Sequence, residues 1–96
     1  RNLKMVERDI LVLGRRNHTE AMRVASGLTI FDHRVRLVFL AKPLVETPEN
    51  QEQIELLDLS DIVPETTVPE MADDLTLLDA TALAEIVAAS DVVINL

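Results

Sequence analysis

Short runs of branched apolar residues alternate along this chain with stretches of helical periodicity, and that alternation limits the fold more than any other feature. Asp9-Ile-Leu-Val-Leu-Gly14 is the first such run, closed by glycine, and reads as a strand buried in a parallel sheet. Asn17-His-Thr-Glu20 follows, a capping residue with Glu three positions on, as in a capping box. Ala21, Val24, Ala25, Leu28 and Phe31 then recur mostly at three- and four-residue steps, which makes one apolar face of a helix. Gly27 within it weakens the helix by about 1 kcal/mol relative to Ala and is expected to let the helix come close to the sheet. Asp32-His33 turns the chain into a second strand, Arg34–Leu40, whose wetter beginning alternates and whose end is wholly apolar.

Ala41-Lys42-Pro43 forms a loop, after which Thr47-Pro48 supplies an N-cap and a proline at the first helical position. A helix over 48–58 is expected, with Ile54 and Leu57 as its inward pair. Ile62–Glu70 repeats Val-Pro-Glu; its two prolines argue against a regular central strand, so a loop or a broken edge strand is expected there. Leu75–Leu78 reads as a short strand, Asp79 as the cap of a helix through Ala82, Leu83, Ile86 and Val87, and Asp91–Leu96 as the last strand. The order β-α-β-α-(β)-β-α-β with short connections predicts one α/β domain. Its expected form is three-layer α/β/α, with a mostly parallel sheet of four to five strands and helices on both faces.

Ninety-six residues suit a single domain. Phe31 and Phe39 are the only aromatic residues apart from histidine, so the core must be aliphatic. There is no cysteine, which excludes disulfides, cysteine-based zinc or iron–sulfur sites, and thiol chemistry by this chain. With only His18 and His33 available, a metal site would need carboxylates for most of its ligands, and neither metal nor cofactor is expected. The longest purely apolar run, Leu37–Ala41, is far short of the roughly 20 residues of a membrane span. No apolar leader is visible, so the expected location is cytoplasmic, without a membrane partner. Residues 1–8, opening on Arg1, read as an N-terminal extension or the remnant of a trimmed start.

The net charge of −8 is unevenly spread. Residues 1–42 hold all nine Lys and Arg against four acids, a net of +5, whereas residues 43–96 hold thirteen acids and no Lys or Arg. Both halves also carry patterned apolar residues, so neither is a disordered tail. The plain expectation is that the halves neutralise each other within one fold. The sharper one is that one protomer's basic face meets the acidic face of the next. Nucleic acid is not an expected partner, because the chain is acidic and offers few aromatic faces to stack on bases.

In open α/β sheets, ligands bind beyond the carboxyl ends of the strands. The first such loop, Gly14-Arg15-Arg16-Asn17-His18, combines two cations, an imidazole and a helix start, which makes Arg15, Arg16, Asn17 and His18 the candidate anion or ligand-binding residues. No dinucleotide or P-loop glycine motif accompanies them. Read as ordinary structure, Asn17 is a cap, the arginines are solvated or paired, and His18 is an exposed first-turn residue. His33 reads as a surface residue at a turn, and the carboxylate pairs Asp73-Asp74 and Glu49/Glu52 as solvated groups. No catalytic residue is assigned: a strand–Gly-x-Ser-x-Gly–helix turn is missing, as are the paired acids of a receiver domain.

Three segments together resemble the DsrE/DsrF/DsrH family, which includes the Tus sulfur-relay subunits: the opening strand Asp9–Gly14, the block Glu20–Leu40, and Leu83-Ala-Glu-Ile-Val-Ala-Ala-Ser-Asp-Val-Val-Ile-Asn-Leu96. The likeness spans about residues 9–96 and lies in apolar positions rather than in an invariant motif. It implies a DsrE-like or flavodoxin-like domain that assembles with copies of itself or with related subunits. Some members carry persulfide sulfur on a cysteine in a loop after the middle of the chain. Here the corresponding stretch Asp61–Asp74 has no cysteine, and a persulfide needs a thiolate. The resemblance therefore implies a non-catalytic structural or docking subunit. A small-molecule or anion-binding domain, or a modest enzyme, using the loop after the first strand is the alternative.

Overall fold

The computed structural model describes residues 7–96; of the expected N-terminal extension, residues 1–6 lie outside the described residues. Five strands form one all-parallel sheet: β1 (Asp9–Gly14), β2 (Arg34–Phe39), β3 (Glu65–Thr66), β4 (Thr76–Leu77) and β5 (Val92–Asn95). The helices are α1 (His18–Leu28), α2 (Pro48–Leu59) and α3 (Ala80–Ala89). The architecture is the expected three-layer α/β/α.

The strand order, which the sequence leaves open, is β4-β3-β2-β1-β5. From β1 the chain steps outward to β4 and then returns across the sheet to the far side of β1. Right-handed crossovers put outward and return helices on opposite faces. Accordingly α1 packs on β1, β2 and α2, whereas α3 packs on β1 with Ile86 in a separate cluster. The two faces are separate cores. Ile10, Val12, Leu37 and Phe39 meet Ala21, Met22, Ala25 and Leu57 on one side, and Leu11, Leu13, Val38 and Leu40 meet Ile86 on the other. Burying an aliphatic side chain of this size stabilises by about 1.5–3 kcal/mol, so β1 and the second half of β2, buried on both faces, carry most of the core.

The expected caps form. Asn17 accepts from the Glu20 N–H at 3.0 Å, Thr47 from Asn50 N–H at 3.1 Å and Asp79 from Ala82 N–H at 2.7 Å. The Glu20 side chain turns to Arg23 instead of completing the capping box.

Three expectations are corrected. The proline-flanked segment does form a strand, and β3 pairs with β2 and β4, so it is interior rather than an edge. Its two residues fit between Pro64 and Pro69, and Thr66 completes the pairing: its hydroxyl donates to Phe39 O at 3.0 Å and accepts from Val68 N–H at 2.9 Å. Within α2, Leu57 is buried but Ile54 is 39% exposed, because the segment beside it is too short to cover it. The close helix–sheet approach falls at Gly14, not Gly27. A Cβ on Gly14 would stand 3.0 Å from Ala21 Cβ and 3.3 Å from Phe39 Cδ1, whereas one on Gly27 would meet nothing within 4 Å. Among the described residues, no helix is long and apolar enough to cross a membrane.

Candidate functional site

The strand order reverses between β1 and β5, and the crevice that a reversal opens lies at the carboxyl ends of those strands. Arg15, Arg16, Asn95 and Leu96 line a cavity of about 240 Å³ there. Local geometry explains why the loop presents its arginines. Gly14 lets α1 start hard against the sheet, so the chain leaves β1 in a tight turn. The Arg16 and Asn17 N–H groups both donate to Leu96 O, at 2.9 and 3.1 Å. The turn is thus tied to β5 by its backbone, and the side chains of Arg15 and Arg16 stand exposed.

Neither arginine has a carboxylate within salt-bridge distance among the described residues, in contrast to Arg23, Arg34 and Arg36. Two cations without a counter-charge beside a helix start form a positive mouth, to which the α1 dipole adds. Asn17 is exposed, but its side-chain oxygen is committed to the cap.

His18 lies elsewhere. It is buried, and its Nε2–H donates to Leu40 O at 3.1 Å, a carbonyl being able only to accept. Its ring lies 5.1 Å from that of Phe39. His18 therefore ties the start of α1 to the end of β2 instead of standing exposed in the first turn. The sequence could not separate these outcomes, because an N-terminal histidine is found in both settings. His33 is half-buried, and its Nδ1 accepts from Arg8 N–H at 3.2 Å.

Two further residues belong to this end of the sheet. Asn95 lines the crevice from β5, and Lys42 is exposed in the loop after β2, the strand next to β1. Lys42 follows Ala41, whose φ of 74° is left-handed. Neither carries a sequence motif; the strand order that brings their loops together is what reveals them. Asn50, buried at the start of α2, accepts from Thr19 Oγ1 and donates to Val45 O at 2.7 Å, so it fixes the first turn of α1 against α2.

A larger cleft, about 690 Å³, lies between α2 and the β3–β4 connection and is lined by no Lys, Arg or His. That cleft is the larger of the two, but of the four candidate residues Arg15 and Arg16 line the smaller crevice, at the topological reversal. No group of three or more His, Asp or Glu converges on a possible metal position among the described residues. Compared with protein-family models, curated proteins and solved structures, the chain matches none of them.

Proposed function

We propose that the chain is a non-catalytic α/β binding domain whose ligand is a small oxyanion, or a molecule bearing one, held at the β1–β5 crevice. The observation that carries this reading is the pair Arg15 and Arg16, without a carboxylate partner among the described residues, at the reversal of the sheet. In this reading the two guanidinium groups supply charge-assisted donors and Asn95 a neutral polar contact. The first turn of α1 adds its positive end. Lys42 contributes long-range attraction from the adjoining loop.

A thermal-shift series with phosphate, sulfate and a nucleoside monophosphate at fixed ionic strength tests it. At least one should raise Tm in the parent, as a ligand that binds only the folded state must. Arg15→Ala/Arg16→Ala should lose that rise, since each charge-assisted bond contributes about 1.5–3 kcal/mol. An equal rise in the double variant would contradict the assignment.

A second reading, a DsrE-like structural subunit in a homo- or hetero-oligomer linked to sulfur metabolism, is favoured by the side of the molecule around α3 and β5. α3 is apolar in composition yet buries only Ile86, and Val87, Val92 and Val93 are each more than a third exposed, beside the open edge of β5. Sedimentation over a range of concentrations distinguishes it: association weakened by Val93→Lys supports a subunit role, and a monomer throughout, with no partner captured, counts against it.

A further inference from the structure

The first two crossovers each carry a full helix, of 11 and 12 residues, but β3 and β4 are joined by residues 67–75 with only the short 3₁₀ turn Pro69–Met71. Parallel strands are ordinarily joined by a dozen or more residues that form a covering helix. Here the connection beside α2 lacks one. The cleft of about 690 Å³ lies between α2 and that short connection.

Its chemistry is two-toned. Phe39, Leu57 and Ile62 form a buried floor, Ile54 walls the α2 side, and Met71 and Leu75 wall the other. Carboxylates rim both long sides, with Glu55 and Asp58 on α2, Glu70 and Asp74 opposite, and Glu46 at one end. None of these five has a Lys or Arg partner among the described residues.

We propose that this cleft receives an amphipathic basic helix from a partner protein, its apolar stripe on the floor and its Lys or Arg flanks against the two acidic rims. The occupant follows from three observations: the cleft lies between α2 and a connection too short to hold a crossover helix, its floor is apolar, and both rims carry the same charge. Helix-in-groove recognition uses apolar anchors at i, i+3, i+4 and i+7. Acidic rims add selection for basic flanks, because charge complementarity governs specificity and encounter more than raw affinity. A small hydrophobic amine would satisfy the charge but not the length, since the carboxylates run along both sides rather than converging on one point. This proposal is independent of the anion crevice.

The probe is a synthetic helical peptide with a leucine stripe flanked by lysines, labelled for anisotropy and followed in parallel by amide NMR. Three controls accompany it: the same composition scrambled to destroy the stripe, the same stripe with Glu for Lys, and dodecylamine. The expected result is saturable one-to-one binding of the Lys peptide alone, with amide shifts confined to α2, residues 62–64 and 70–75. The surface pair Glu55→Lys/Asp58→Lys should weaken it at least about tenfold. Ile54→Gln, which preserves charge, should weaken it by about fivefold or more. Equal binding of the scrambled peptide would reduce the effect to general attraction by an acidic chain and overturn the proposal. Shifts elsewhere, binding of dodecylamine alone, or no binding at all would overturn it as well.

Discussion

Gly14, at the end of β1, and Gly27, inside α1, predict opposite outcomes. A methyl group at Gly14 presses on Ala21 and Phe39, which belong to the packed core and have little room to yield. Gly14→Ala should destabilise by about 1–3 kcal/mol, the usual cost of overpacking, and should move α1 away from the mouth of the crevice. Gly27 is helical with open space around it, so Gly27→Ala should stabilise by about 0.5–1 kcal/mol through the unfolded chain and helix propensity. Urea midpoints of the two variants check both signs. Sequence patterning marks Gly27 as the anomaly because it interrupts a helix. It cannot show that the contact-limited glycine is the one ending β1, since that depends on how closely Ala21 packs. His18 follows the same logic: its identity is legible, but its direction is set by Leu40 O, 22 residues away.

Among the elements, β3 is the most dependent on a single side chain. It has two residues between prolines, and Thr66 carries both the bond to Phe39 O and the one from Val68 N–H, fully buried. Thr66→Val keeps the shape and removes both bonds. The expected cost is about 1–3 kcal/mol for the buried Val68 N–H left without its acceptor. Hydrogen exchange should show faster opening in residues 65–78 than in β1 and β2. The elements with strong periodicity or caps, β1, α1, β2, α2 and α3, are legible in the sequence because local pattern and final structure agree. β3 is not, because two prolines locally disfavour a strand that only pairing with β2 and β4 produces. Ile54 departs from its helical spacing for a related reason: spacing gives the inward face only if a neighbour covers it, and the short β3–β4 connection does not.

At the scale of the whole molecule, charge is the property least neutralised within the chain. Of the four described ion pairs, three lie within residues 7–42 and only Arg36–Glu65 joins the basic part to the acidic part. The acidic residues of α2 and the β3–β4 segment therefore face outward, as do Arg15, Arg16 and Lys42 at the carboxyl end of the sheet. The opposite end is pinned by Arg34, which bonds Asp9 at 2.6 Å and Glu7 at 2.7 Å. The Arg34 hydrogen bond holds the Asp9 carboxyl below its ordinary value, with desolvation opposing and the Arg34 charge assisting. A lowered folded value means the stability it lends is present above the unfolded value near pH 4 and lost as pH falls through the folded one. Asp9→Asn should therefore lose less stability than the parent on acidification from pH 7, by a small margin because the pair is exposed. Denaturant midpoints along a pH series check this.

We propose that the reversal of strand order, not a sequence motif, creates the anion site at the β1–β5 crevice. Amide NMR titration with phosphate at constant ionic strength tests it most directly. The expected result is saturable shifts centred on residues 15–19 and on Asn95 and Leu96, with Kd no weaker than about 1 mM, abolished in Arg15→Ala/Arg16→Ala. Shifts that never saturate, that persist in the double variant, or that centre away from the β1–β5 crevice would contradict it.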